Sequence, residues 1–286
     1  MMKKDPNITL FIKGGLGNQV MQWVFAEGLA RKNGLTLLVC GRLLRSRSRT
    51  ARGLTTRGFS RTVRSLSRPI ESSVFYYLFC RCINRLPLLN NLIAGNAQII
   101  DFNRIFNIPH TRCVLTDGTS SLVFSSEFTP EWEKVRKEIG RKLDINTDIG
   151  VHVRRGDYAN KNSGFFVLER DYYLKGINIA LSVLKQDKPK ITIFTDDPTW
   201  CKQNLSSPEW ETFVSQASPE EDLYAMSKTK ALVISNSSFS AVAAHLGETF
   251  EDLQLVICPD QWLANANHTS LGDLRKPSWI SLPIHP

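Results

Sequence analysis

The chain has 286 residues, 42% of them hydrophobic and 22% charged, near the average of globular proteins and enough for one large or two ordinary domains. No segment approaches the roughly 18 consecutive apolar residues of a membrane span, which sets that class aside. The formal net charge of +9 predicts attraction to anions, whether nucleotide phosphates, nucleic acid or acidic lipid head groups, without choosing among them.

Six cysteines (Cys40, Cys80, Cys82, Cys113, Cys201, Cys258) are scattered without paired zinc spacing. They read as reduced, mostly buried thiols of a cytosolic protein. The N-terminal MMKKDPNITLFIKGG has positive charge but too short an apolar run for a signal peptide. The expectation is a cytoplasmic protein, soluble or attached peripherally at the inner face of a membrane.

Residues 8–40 read as strand, glycine turn, amphipathic helix and second strand. Val20, Met21, Val24, Phe25 and Leu29 recur at helical spacing, and Gly34 sits where a C-cap belongs, after Arg31 and Lys32. LTLLV then reads as a buried parallel strand.

Residues 42–68 change character, with nine arginines and no acid between Glu27 and Glu71. A solvated insertion is one reading. An anionic membrane surface is another, because VFYYLFC and LPLLNNLIA follow and suit an interface. Nucleic acid is the weakest, since no aromatic residues interleave with the charge, and none is expected as a partner.

Near residue 129 a helix is expected, with Thr129 as N-cap, Pro130 in the first helical position and Trp132, Val135 and Ile139 on one face. The domain boundary is placed after it, dividing the chain into 1–145 and 146–286.

The second half alternates strands (GVHVR, ITIFT, ALVIS, LQLVICP) with helices (170–185, PEEDLYAMSKT, and FSAVAAHLG closed by Gly247). This rhythm predicts an α/β fold with a parallel, doubly wound sheet in each half. Two such domains facing each other would take a ligand in the cleft between them.

Three clusters carry chemistry, each following a strand. In Gly14-Gly15-Leu16-Gly17-Asn18-Gln19, bare backbone and a helix start expected at Gln19 make an anion cradle or simply a tight turn. In VHVRRGDY (151–158), Arg154 and Arg155 have the planar fork that suits a diphosphate. Asp157 there either orients an arginine or serves as a base, and His152 shares the face of Arg154. In the loops TDDP and SNSSFS, Asp196 and Asp197 can accept the N1–H and 2-amino protons of guanine, and Asn236, Ser237 and Ser238 offer short donors at a helix start. A metal fits these carboxylates less well, because no nearby His or third carboxylate completes a set.

Together GGLGNQ, HVRRGDY, TDDP, DLYAMS, ISNSSFS, AHL and CPDQW resemble, in order and spacing, the galactoside α-1,2-fucosyltransferases of glycosyltransferase family 11. The likeness covers roughly 1–35 and 150–263. It implies a GT-B fold and an inverting transfer of fucose from GDP-β-L-fucose to O2 of a terminal β-galactose, with no metal or other cofactor. The glycan acceptor would be a lipid-linked O-antigen or similar surface polysaccharide.

Carried over, Arg154 would stabilise the GDP leaving group, supported by Arg155, with Asp157 and Glu169 as candidate bases. His152 and Asp197 would lie around the guanosine, Ser237 and Ser238 at the phosphates, and Gly17 and Asn18 on the other side of the donor, with Gly15, Asp196 and Asn236 also in the donor site. Two residue pairs depart from the pattern. Ala241 and Val242 stand where the family has tryptophans, and Phe165 and Phe166 where it has a His-Gly pair.

Overall fold

A computed structural model describes residues 7–41, 63, 66, 68–70, 99–101, 112–114, 121–140, 147–159, 165–185, 188–262 and 274–284. The chain forms two compact units, one of 1–119 and 125–138, the other of 120–124 and 139–286. The main division therefore falls between Glu138 and Ile139, where 145 and 146 were expected.

In the first unit, β1 (Asn7–Phe11), β2 (Thr36–Cys40), β3 (Arg68–Pro69), β4 (Ile99–Asp101) and β5 (Arg112–Val114) form a sheet in the order β3-β2-β1-β5-β4. The sheet is not wholly parallel as expected: β4 runs antiparallel to β5 at one edge. The reason is length. A parallel crossover needs a dozen or more residues, and only the ten of 102–111 separate the two strands.

Helix α1 (Leu16–Lys32) connects β1 to β2 and buries Val20, Met21, Trp23 and Val24. It ends as expected at a left-handed Gly34 (φ 62°). Leu35 N–H bonds Ala30 O at 2.9 Å and Gly34 N–H bonds Arg31 O at 3.2 Å, satisfying carbonyls of the last turn. Helix α2 (Thr129–Ile139) packs in the same unit, where the Arg31 guanidinium reaches the fully buried Glu131 carboxylate at 2.8 Å. Thr129 is not the N-cap: its φ of −50° and ψ of −44° are already helical, because α2 continues directly from a 3₁₀ turn over Ser126–Phe128.

The second unit holds β6 (Ile149–Val153), α3 (Arg170–Leu184), β7 (Lys190–Thr195), α4 (Pro198–Asn204), β8 (Glu211–Val214), α5 (Pro219–Ser227), β9 (Ala231–Val233), α6 (Ser238–Thr249), β10 (Leu255–Pro259) and β11 (Ile280–Leu282). All its strand pairs are parallel, in the order β11-β10-β9-β6-β7-β8. Every residue of β6 is buried, as a strand covered on both faces requires. Tyr173, Ile177 and Ala180 of α3 fill the core over β6, β7 and β9.

Helix α6 does not close at Gly247 but runs two residues further. A Cβ at 247 would sit 2.7 Å from Leu253 Cβ and 2.8 Å from Ser227 O, so this glycine permits close packing, not termination. Ala241 and Val242 are wholly buried within α6. Two α/β units with Rossmann-like connectivity are the composition expected of the GT-B class.

The basic segment 42–68, and with it the expected membrane surface, lies outside the described residues except for Val63, Leu66 and Arg68. Cys40, Cys201 and Cys258 are buried free thiols, and the other three cysteines lie outside the described side chains. Among the described residues no helix is long and apolar enough to cross a membrane.

Candidate functional site

The strand order of the second unit locates the site. From β6 the chain winds outward through β7 and β8, then returns to place β9, β10 and β11 on the other side. The carboxyl ends of β6 and β9 flank the point where the winding reverses, and there the loops diverge and open a crevice. The residues that leave those two ends are Arg154 to Tyr158 and Ser235 to Ser238.

Arg154 is held by two carboxylates. Its Nε and Nη2 reach Asp157 Oδ1 at 2.9 and 2.8 Å, and its Nη1 reaches Asp196 Oδ2 at 3.0 Å. Asp196 also accepts the backbone N–H of Arg155 at 2.9 Å, which joins the end of β7 to the turn after β6. Gly156 makes that approach feasible: a Cβ there would lie 2.8 Å from Asp196 Oδ2. Of the two roles expected for Asp157, the geometry displays the orienting one.

Arg155 points elsewhere. Its Cζ lies 4.0 Å from the centre of the Trp200 ring and its Nη1 donates to Leu168 O at 3.0 Å. Asp197 caps α4 by accepting Trp200 N–H at 3.1 Å, which sets the first turn that carries this indole. Glu169 precedes α3 with a largely exposed side chain, 3.7 Å from Arg155 Nη1.

His152 is buried in β6, with Nδ1 2.8 Å from Ser235 Oγ. Burial, and secondarily the charge of Arg154, pushes its pKa down to about 3, so it is a neutral imidazole at pH 7. Ser237 is the N-cap of α6, accepting Phe239 N–H at 3.3 Å, and Ser238 is the first helical residue. Asn236 is fully buried and donates from Nδ2 to Phe166 O at 3.2 Å and Trp262 O at 3.1 Å. Both of its amide hydrogens thus serve loop structure.

The structure brings His152, Arg154, Arg155, Asp157, Asp196, Asp197, Asn236, Ser237 and Ser238 to the carboxyl edge of one sheet. Gly15, Gly17 and Asn18 belong to the first unit. There α1 begins at Leu16, three residues before the expected Gln19, with Gly15 as N-cap and Gly17 and Asn18 in its first turn. The N–H groups of Leu16, Gly17 and Asn18 precede the first intrahelical bond, Gln19 N–H to Gly15 O at 2.9 Å. Gln22 clips the turn from behind, accepting Lys13 N–H at 3.0 Å and donating to Lys13 O at 3.1 Å.

Sequence reasoning missed Trp200, Ser235 and Tyr158. Trp200 had a usable signal, since Asp197-Pro198 is a helix start that puts residue 200 in the first turn. Ser235 had none, because its partner His152 is 83 residues away. Among the described residues no group of three or more His, Cys, Asp or Glu side chains is arranged to hold a metal ion.

A profile of glycosyl transferase family 11 matches residues 126–282, more than half of the chain and all the candidate site residues of the second unit. The chain belongs to glycosyl transferase family 11.

Relatives agree with that membership. The chain is 36% identical over 138 residues to the O-antigen biosynthesis glycosyltransferase WbnK of Escherichia coli, a match covering 46% of this chain but only 43% of that protein. It is 27% identical to the alpha-1,2-colitosyltransferase of Escherichia coli, over 95% of this chain and 97% of the other. It is 24% identical to the galactoside 2-alpha-L-fucosyltransferase Sec1 of Mus musculus, over 86% of this chain and 66% of that protein. As a member of family 11 the chain is a glycosyltransferase, and the matched residues include the switch point of the second sheet.

Proposed function

We propose that this glycosyltransferase moves L-fucose from GDP-β-L-fucose to O2 of a terminal β-galactose, inverting the anomeric carbon and using no metal or other cofactor. The acceptor is a lipid-linked O-antigen or similar surface glycan, met at the cytoplasmic face of the membrane. The observation that carries the proposal is Arg154, fixed between Asp157 and Asp196 at the carboxyl end of β6. Family membership and the fucosyl and colitosyl activities named for its relatives support the sugar class.

As the glycosidic bond breaks, negative charge grows on the leaving diphosphate while the sugar becomes oxocarbenium-like. A guanidinium already held in place stabilises that charge without reorganising. Asp196 and Asp197 would receive guanine N–H groups; each oxygen engaged by an arginine keeps a second lone pair for this. The neutral His152 would sit beside the guanosine. Ser237 and Ser238, at the start of α6, would meet phosphate oxygens.

Thermal shift with GDP against UDP and ADP, with and without EDTA, tests the donor. The expected result is stabilisation by GDP alone, unaffected by EDTA and about 2.7 kcal/mol at 100 times Kd. Absence of a GDP-selective shift overturns the reading. Transfer to β-galactosides, with the linkage read by NMR, tests the acceptor.

A second reading, colitosyl transfer, is favoured by the relative aligned over 95% of the chain. Competition between GDP-fucose and GDP-linked colitose, the donor this second reading would require, separates them.

A further inference from the structure

The arginine turn and the serine loop leave neighbouring strands, since β6 pairs β9 from Ile149↔Ala231 to Val151↔Val233. Beyond the ladder they diverge, and a diphosphate held by both requires their separation to be fixed. Tyr158, the last residue of the HVRRGDY stretch, crosses that gap. It is 8% exposed, and its hydroxyl donates to the backbone carbonyl of Asn236 at 3.1 Å.

The ring of the same residue faces the arginine side. Arg154 Cζ lies 5.7 Å from its centroid, within cation–π range. Phe165 lies parallel on the ring, with centroids 4.4 Å and planes 6° apart. The next residue returns to the serine loop, because Phe166 O accepts Asn236 Nδ2 at 3.2 Å. The contacts close a circuit: Arg154, the Tyr158 ring, its hydroxyl, the Asn236 carbonyl, the Asn236 amide, and Phe166 beside Phe165. Phe165 thus supplies the stacked partner that holds this ring.

We propose that Tyr158 is a positioning residue, whose hydroxyl sets the spacing between the phosphate-binding arginine turn and the serine loop. The inference rests on the donor-site reading given above. A site whose two halves are held apart correctly before binding loses less ordering free energy when the ligand arrives. Tyr158 therefore contributes to nucleotide affinity without touching the nucleotide.

The test is Tyr158→Phe in the full chain, measuring GDP Kd by titration calorimetry together with the melting temperature. Loss of one buried hydrogen bond of this kind is expected to weaken GDP binding roughly 3- to 10-fold. In a Ser237→Ala background the same change is expected to add little, because the loop it positions has already lost its contact. A purely structural role would lower the melting temperature with GDP Kd unchanged, and that result overturns the proposal. So does full additivity of the two substitutions.

If the Phe variant does not fold, Phe165→Leu keeps the hydroxyl and removes only the stacked ring. It is expected to weaken GDP binding in the same direction, and an unchanged Kd overturns the proposal there too. Wild-type protein that does not bind GDP overturns the donor-site reading itself and the positioning role with it. Wild-type binding with an unaffected Tyr158→Phe variant overturns the positioning role alone.

Discussion

Arg155 lies against Trp200, with the guanidinium carbon 4.0 Å from the centre of the ring, and Tyr173 meets the same indole edge-on, ring centroids 6.0 Å apart. An arginine so placed is tied to α4 and, through Leu168 O, to the segment before α3. It acts as a strut under the turn that carries Arg154. Trp200→Ala should therefore lower transferase kcat/KM by about 3- to 30-fold, the range that a partly desolvated cation–π contact of ~0.5–2 kcal/mol allows. Trp200→Phe should recover most of that loss. Equal losses in the two variants would show that an aromatic face against the guanidinium is not what Trp200 contributes.

Arg154 itself should be far more sensitive. Its guanidinium is the cation that two carboxylates hold at the switch point. Arg154→Ala is expected to reduce the transfer rate by about 10²–10³, as loss of a transition-state donor does elsewhere. Arg154→Lys should recover little, because an ammonium cannot span Asp157 and Asp196 as the fork does. The measurement is single-turnover transfer from GDP-fucose. Near-wild-type rates for Arg154→Ala would remove the residue from the mechanism.

The approach of Asp196 to the turn gives a prediction about a residue with no side chain. Gly156→Ala would place a methyl 2.8 Å from Asp196 Oδ2. The carboxylate must shift, and with it the bonds to Arg154 Nη1 and Arg155 N–H. GDP affinity should fall at least several-fold while the circular dichroism spectrum stays unchanged. Unaltered affinity would mean that the carboxylate relaxes without consequence.

The second unit was legible because its signals are local. The wholly buried run of β6 and the Ser218–Glu221 capping box before α5 each declare themselves within a few residues. The short strands β8 and β11 were not: ETFV alternates in burial and ISL is largely exposed, so neither forms an apolar run. The antiparallel β4 was hidden for another reason, since its pairing depends on β5, which follows eleven positions later.

The site showed the same division. Arg154, Asp157 and Asp196 announced themselves by residue type beside a strand. The tasks of Arg155, Asn236 and Tyr158 depend on partners 13 to 78 positions away. The first turn of α1 was placed three residues late because its cap is Gly15, which offers no side-chain oxygen to mark the boundary.

Asp222 lends the fold a pH dependence that can be separated from that of the buried histidines. Burial raises its pKa from 3.8 to about 6, against the Ser215 hydroxyl that donates to it at 2.5 Å and lowers it. The native state thus binds more protons than the unfolded chain between those values. This group's contribution is full below about pH 4 and is lost as pH rises through 6. His152 and His245 act oppositely, since burial lowers their pKa values to about 3 and about 2. Their contribution is present above 6.5 and is lost as pH falls through that of each folded imidazole. Asp222→Asn removes one titration and keeps an oxygen to accept from Ser215. The gain in unfolding free energy between pH 4 and pH 7, from urea titrations, should be larger in the variant than in the wild type. An identical pH profile would mean that Asp222 titrates alike in both states.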